Sequence, residues 1–201
     1  DRVGPPEILM QGGAMLFPVS PDSFFQVNAL VGADMQELVR SLPRTIRRRL
    51  LDLYCGVGFF TLSLAAVVGE ALGIERDQGA VRNATAAARL NAITNARFRR
   101  GDAAREIAKL RDFDLALIDP PRLGAPKSLI GGLVRLRPSE IIFVSCDPPT
   151  FARDAAALIE AGYVLSGLNL VDLFPATYHA EIVAVFRRDT PDDEDEDAKE
   201  G

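Results

Sequence analysis

Four short stretches of this chain set reactive or ligand-binding side chains beside residues that stiffen the backbone. Ser145-Cys146-Asp147-Pro148-Pro149-Thr150 puts a thiol between an apolar run and a helix start. Such a thiol reads either as a small buried hydrophobe or as a nucleophile. The amino end of the helix favours its thiolate against an ordinary pKa of about 8.5. Asp119-Pro120-Pro121-Arg122 holds a carboxylate ahead of two prolines that fix the chain; a plain turn uses the same residues. Leu53-Tyr54-Cys55-Gly56-Val57-Gly58-Phe59 carries two glycines. They permit a tight turn and let a ligand approach the backbone at a helix amino terminus. Glu75 lies 19 residues after Gly56, a spacing that suits a carboxylate facing a ribose diol, with a surface carboxylate as the alternative. The stretch from Asp172 through Phe174, Pro175, Thr177 and His179 to Glu181 holds two acids and the sole histidine. By itself it is a polar loop.

These residues need a frame, and the hydrophobic pattern supplies one. Strand-length apolar runs at 50–54, 71–75, 97–100, 113–118 and 141–145 alternate with helical stretches at 60–68, 78–91 and 150–161. Asp147 or Thr150 caps the last of these helices. Two late runs, 163–173 and 182–186, close the pattern. Regular alternation predicts an α/β fold, a mostly parallel sheet with helices on both faces. Ligands of such sheets sit at the carboxyl ends of the strands, where the glycine turn, Glu75, Asp102, Asp119 and Cys146 all fall. Upstream, runs at 7–10 and 14–19 flank Gly12-Gly13, a hairpin signature, and a helix is expected over about 29–42. The expected organisation is an amino-terminal hairpin appendage in 1–28, a catalytic domain in 29–189 and an acidic tail in 190–201.

Composition narrows the class. A chain of 201 residues with 48% hydrophobic and 25% charged residues suits one soluble core. No apolar run reaches the roughly 20 residues that cross a bilayer, and residues 1–7 lack the pattern of a signal peptide. Two cysteines, Cys55 and Cys146, point to a reducing compartment and a cytoplasmic protein. One histidine and no close cysteine pair predict no metal site. The net charge of −5 is concentrated in the tail, where residues 191–201 carry seven acids and one lysine. That tail is too charged and too poor in apolar residues to fold. In the near-neutral body, Arg44, Arg47, Arg48 and Arg49, and Arg97, Arg99 and Arg100, form two basic clusters. They suit RNA phosphates or simply solvated element ends.

Five segments taken together resemble the RNA uracil-5-methyltransferase family. They are Ser23-Phe24-Phe25-Gln26-Val27-Asn28, the Leu-Tyr-Cys-Gly-x-Gly turn, Asp-Pro-Pro-Arg, Ser-Cys-Asp-Pro-x-Thr-x-x-Arg-Asp, and the Asp-x-Phe-Pro-x-Thr-x-His-x-Glu ending. The resemblance spans residues 23–181. It implies a Rossmann-like class I methyltransferase fold with a seven-stranded sheet and S-adenosylmethionine as cofactor. It implies an RNA partner, tRNA or rRNA, without membrane or metal, and a monomeric chain. By resemblance, Gln26, Tyr54, Glu75 and Asp119 contact the cofactor, Gly56 and Gly58 shape its pocket, and Asp102 approaches the adenine. Cys146 is then the nucleophile and Glu181 the proton acceptor. Two positions depart from the family: Phe59 stands where several members carry a polar residue, and Asp147 replaces the usual Asn. Members commonly carry an amino-terminal RNA-binding β-domain and a central domain. Neither is found in these 201 residues, nor are the cysteines that hold an iron–sulfur cluster in some members.

The expected chemistry explains why both groups are needed. Uracil C5 is a poor nucleophile, and adding a thiolate at C6 turns it into an enolate carbon. A positioned carboxylate then removes the C5 proton after methylation, with Arg122 or Asp119 holding the base or balancing the enolate. A paired uridine hides C5 and C6, so the target is unpaired or flipped out; Phe24, Phe25 or Phe174 either stacks on it or, the commoner role for each, belongs to the core. Three rivals share the frame: an amino-group methyltransferase using Asp119 without a covalent step, a silent RNA-binding module, and an NAD-dependent oxidoreductase. Thr61 disfavours the last, because a dinucleotide fingerprint usually has Gly there.

Overall fold

The computed structural model describes residues 7–20, 29–44, 49–172 and 180–188. Gln26 with the rest of the 23–28 segment, Arg47, Arg48, Phe174, His179 and the acidic tail lie outside them.

Strand β1 (Ile8–Gly12) pairs antiparallel with β2 (Met15–Val19). Helix α1 (Ala29–Ser41) leads to β3 (Arg49–Leu53), α2 (Phe59–Ala65), β4 (Glu70–Glu75), α3 (Gln78–Leu90) and β5 (Ala96–Arg100). Then come α4 (Ala103–Glu106) with a following 3-10 turn, β6 (Leu115–Ile118), α5 (Lys127–Leu136), β7 (Glu140–Ser145) and α6 (Pro148–Glu160). Strands β8 (Val164–Val171) and β9 (Glu181–Arg187) complete the order. The main sheet has seven strands in the order β5-β4-β3-β6-β7-β9-β8. Strands β3 to β7 pair in parallel, and β9 runs antiparallel between β7 and β8.

The central strands β6 and β7 are buried along their whole length, as expected when helices cover both faces and the period-2 pattern disappears. On one face, Leu51, Leu53, Phe143 and Phe186 pack under α5 and α6 through Leu129, Leu133, Phe151 and Leu158. On the other, Leu50, Leu117, Ile142 and Val183 meet α1, α2, α3 and the hairpin through Met35, Leu62, Ala87 and Phe17. The hairpin is tied to α3 as well as packed on it. The Asn91 side chain accepts the Leu16 N–H at 3.0 Å and donates to the Leu16 carbonyl at 2.7 Å.

Two details differ from the sequence reading. The hairpin turns at Gly13-Ala14, and Gly12 is a strand residue opposite Met15. Gly12 is needed for packing, since a Cβ there would lie 2.9 Å from the Phe59 ring and 3.0 Å from Phe17. Helix α5 was not expected, because Gly131 and Gly132 weaken its helical signal. Gly132 sits against Ile107, where a Cβ has no room, so tertiary packing overrides propensity.

One buried ion pair ties the entry side of the sheet together. Glu140, in the interior of the molecule, receives Arg187 Nε at 2.7 Å across the β7–β9 ladder. It also accepts the Arg44 N–H at 3.0 Å, while Arg187 donates to the Leu42 carbonyl at 2.9 Å. Removing the acid leaves a half-buried guanidinium and a backbone N–H without their partner. Glu140→Ala is therefore expected to lower unfolding free energy by about 3 kcal/mol, measured by urea denaturation, with Glu140→Gln losing less.

Candidate active site

The thiol and the closing acid meet through sheet register. The β7–β9 ladder ends at the pair Ser145–Ile182, and Cys146 and Glu181 are the residues that flank this last pair, one on each chain segment. Side-chain electrostatics agree with this placement: the Glu181 carboxylate acts directly on the Cys146 thiol.

Burial, then Glu181 and Asp119, push the thiol pKa up, while the positive charge of Arg122 pulls it down. The net shift is upward, against the expectation that the helix start favours thiolate. The reason lies in how α6 begins. Asp147 is its N-cap and accepts the Thr150 N–H at 3.0 Å, so the carboxylate of the chain itself fills the anion-binding position. Pro148 and Pro149 occupy the first helical positions and have no N–H to offer. Little of the helix dipole is left for the sulfur. Glu181 is itself pushed up by burial and pulled down by Arg122. Asp119, one residue past β6, is raised well above the usual carboxylate range by burial, with Glu181 and Asp52 adding repulsion. Cys146, Glu181, Asp119 and Arg122 thus form one interacting group at the carboxyl rim of the sheet.

The glycine turn lies at the same rim, one strand beyond β6. Gly56 has φ +52 and nothing within 4 Å of a notional Cβ, so its outer side is open space. Its N–H donates to Glu75 Oε2 at 3.1 Å, and Glu75 Oε1 accepts the Asp77 N–H at 2.8 Å. The carboxylate is therefore fixed by backbone donors, with lone pairs left over for a further donor. Gly58 serves a different end: a Cβ there would lie 2.8 Å from the Phe98 ring, so this glycine lets α2 pack on β5. Tyr54 takes a left-handed φ of 67°. Burial raises its hydroxyl pKa, helped by the charges of Asp102, Glu75 and Asp154. Asp102 is exposed and caps α4 by accepting the Arg105 N–H at 3.1 Å. Cys55 is a packing residue, buried and with its sulfur over Gly73, where a Cβ would lie 2.7 Å from it. Both cysteines are free thiols. Phe59, the departure noted in the sequence, belongs to the core, with its ring 5.7 Å from Phe17.

Asp52 escaped the sequence reading. It is 1% exposed, within a strand of leucines, and Thr61 Oγ1 donates to its Oδ2 at 2.5 Å. Its Oδ1 is buried without a hydrogen-bond partner. Desolvation, partly offset by Thr61, raises its pKa to about 7. An acid inside an otherwise apolar strand was the available signal. Thr61, read from sequence only as a departure from a glycine fingerprint, is its partner.

Other features lie apart from this rim. A cavity of about 390 Å³ bordered by Met15, Leu62, Asn91 and Asn95 opens at the opposite end of the sheet, at the entry to β5. Arg97, Arg99 and Arg100 are exposed on edge strand β5, where Arg99 pairs with Glu106 at 3.3 Å. Among the described residues, no group of three His, Cys, Asp or Glu side chains is placed to hold a metal. No helix among them is long and apolar enough to cross a membrane.

Comparison with known proteins gives this geometry its context. The family model described as tRNA (Uracil-5-)-methyltransferase matches residues 6–189. A 23S rRNA (uracil(1939)-C(5))-methyltransferase of Aeromonas salmonicida is 38% identical over 192 residues, 93% of this chain and 43% of that protein. An uncharacterized RNA methyltransferase of Geobacter sulfurreducens is 39% identical, over 89% of this chain and 37% of its own length. Among solved structures, the tRNA (uracil-54, C5)-methyltransferase of Pyrococcus abyssi in complex with S-adenosyl-L-homocysteine superposes with a TM-score of 0.82. It is 31% identical and is matched over 92% of this chain and 46% of its own. The chain thus spans less than half the length of these relatives. By the family-model match along nearly its whole length and by these identities, the chain belongs to the tRNA (uracil-5-)-methyltransferase family.

Proposed function

We propose that this chain is the catalytic domain, residues 29–189 with the hairpin as an appendage, of an enzyme that methylates C5 of a uridine in tRNA or rRNA. Cys146 acts as covalent nucleophile and Glu181 as base. The observation that carries the reading is the end of the β7–β9 ladder, which brings Cys146 and Glu181 to one rim, where Glu181, Arg122 and Asp119 all act on the thiol.

The residues present suit S-adenosylmethionine. The open side of Gly56 admits a ligand against the backbone. Glu75, held by two N–H groups, has acceptor capacity toward a ribose. The buried carboxyl of Asp52 and the half-buried one of Asp119 favour a cation nearby. Gln26 completes the set by family resemblance alone. When bound, this cofactor supplies an electrophilic methyl group on a positively charged sulfur.

The chain's own side chains do the remaining work. The Cys146 thiolate forms a bond to C6 of an unpaired or flipped uracil, and the ring electrons move toward C5 and the O4 oxygen. Arg122, whose cation stabilises thiolate and carboxylate alike, stands where the developing enolate needs positive charge. After C5 is methylated, Glu181 takes the C5 proton, the C5–C6 double bond re-forms and the C6–sulfur bond breaks. A base whose pKa is raised by burial is better matched to this task than an exposed carboxylate. An amino-group methyltransferase would need neither the sulfur nor the acid that acts on it. A silent RNA-binding module would have no use for a glycine turn with an open face. The cytoplasm, where thiols stay reduced, is the compartment proposed for this chemistry.

Incubation with cofactor and 5-fluorouridine-containing RNA is expected to trap a protein–RNA adduct that survives denaturing electrophoresis. Fluorine at C5 cannot leave as a proton does. Cys146→Ala is expected to abolish the adduct and Cys55→Ala to retain it; methylation by Cys146→Ala would overturn the covalent mechanism. Glu181→Gln is expected to slow turnover about 10²- to 10⁴-fold while still adding to the RNA, so that adduct accumulates on ordinary uridine substrate. Because the thiol pKa is raised, iodoacetamide labelling of Cys146 is expected to climb through the alkaline range. Arg122→Ala should move that profile to higher pH and Glu181→Gln to lower pH, as the signs of their charges require.

A further inference from the structure

Three residues of the motif at the start of α6 have no part in these steps, yet all reach the same loop. Thr150, Arg153 and Asp154 stand at i, i+3 and i+4 and share one helix face. Opposite them runs the connection between β6 and α5, which carries Arg122. Thr150 Oγ1 shares its one proton between the Arg122 carbonyl at 3.3 Å and the Asp147 carbonyl at 3.1 Å. Arg153 Nη2 donates to the carbonyls of Leu123 at 3.2 Å and Ala125 at 3.5 Å. Asp154 Oδ2 accepts the Ala125 N–H at 2.7 Å, and its Oδ1 receives Arg153 Nε at 2.8 Å.

The loop is shaped to accept this grip. Gly124 donates to the Pro121 carbonyl at 2.7 Å and has φ +77. A Cβ at Gly124 would strike Arg153 Nη2, lie 2.7 Å from Asp154 Oδ2 and 3.0 Å from Thr150 Cβ. Asp154 is 3% exposed, and burying a carboxylate is tolerable only when it is fully bonded. A loop needing only to be closed is held more cheaply by apolar contacts. A set of directed bonds to the carbonyls of residues 122, 123 and 125 fixes position instead. The same helix begins beside Cys146, so α6 sets the distance between the sulfur and the loop.

We propose that Thr150, Arg153 and Asp154 are positioning residues, which clamp the loop after β6 so that Arg122 is held at the rim where Cys146 and Glu181 lie. The proposal rests on the reading of Cys146 as nucleophile for its meaning, but its geometry is tested without RNA or cofactor. The charged groups that act on the thiol are Glu181 from β9 and Asp119 and Arg122 from the β6–α5 loop. Clamp loss should act through the last of these.

The test is the pH profile of Cys146 alkylation, followed by mass spectrometry on the intact chain. Thr150→Val and Asp154→Ala are expected to shift the profile to higher pH, with labelling near neutrality about threefold slower. Adding either to Arg122→Ala should give no further slowing, because all three changes remove the same contact. Asp154→Asn, whose amide oxygen still accepts the Ala125 N–H, should restore most of the rate. Variants that lose thermal stability but keep the wild-type profile, or whose effects add to that of Arg122→Ala, overturn the proposal. If Asp154→Ala does not fold, Thr150→Val, which removes one hydroxyl, decides it by the same criteria. A chain that shows the coupling but traps no fluorouridine adduct keeps the clamp and loses the nucleophile.

Discussion

The arrangement of the site depends on one strand running backwards. Because β9 enters the sheet antiparallel between β7 and β8, its first residue lies at the rim where β7 ends. A parallel strand in that place would deliver its last residue there and its first to the far side. Reversal is what brings Glu181, 35 positions later in the chain, to the end of the ladder that Cys146 follows. The Glu140–Arg187 pair on the same ladder anchors the other end of the two strands. A slip of one residue would break that ion pair and turn Glu181 to the opposite face.

The rim is also electrically lopsided. Asp52, Asp119 and Glu181 fall on the same face of the sheet by strand alternation, and burial pushes all three toward their neutral forms. Such a row resists another anion and welcomes a cation. Arg122 is the cation that this site supplies to Cys146 and Glu181. The site therefore combines carboxyls that favour a positively charged ligand with an arginine that favours developing negative charge, and both kinds of group act on the thiol.

Much of this was legible in the sequence, and the reasons for the gaps are physical. Alternating apolar runs revealed the parallel core because β6 and residues 141–144 of β7 are continuous stretches of aliphatic and aromatic residues. The Cys146 and Glu181 segments stood out by residue type, but their contact depends on an antiparallel register that no local pattern encodes. Helix α5 was hidden by two glycines whose helical cost is offset by packing on Ile107. The hairpin turn was misplaced by one residue because Gly12 and Gly13 look equivalent in sequence, while only Gly13 has positive φ. Asp52 was passed over because an acid in a short strand carries no period. Its significance appears only once burial leaves Oδ1 without a partner.

The helix start shows how a local rule can be right and its consequence wrong. A cysteine ahead of a helix is ordinarily a thiolate favoured by the exposed N–H groups of the first turn. Here Asp147 caps that turn and two prolines remove donors from it, so the helix end is already satisfied. The charge that favours thiolate has to come from elsewhere, and Arg122 provides it from a separate loop. A point charge on a long, exposed side chain is effective only if its backbone is fixed, because a mobile guanidinium is screened and costs rotamer entropy to order. Capping the helix and clamping the loop are therefore complementary requirements, and α6 meets both: Asp147 and Thr150 settle its own first turn, while Thr150, Arg153 and Asp154 secure the neighbouring segment.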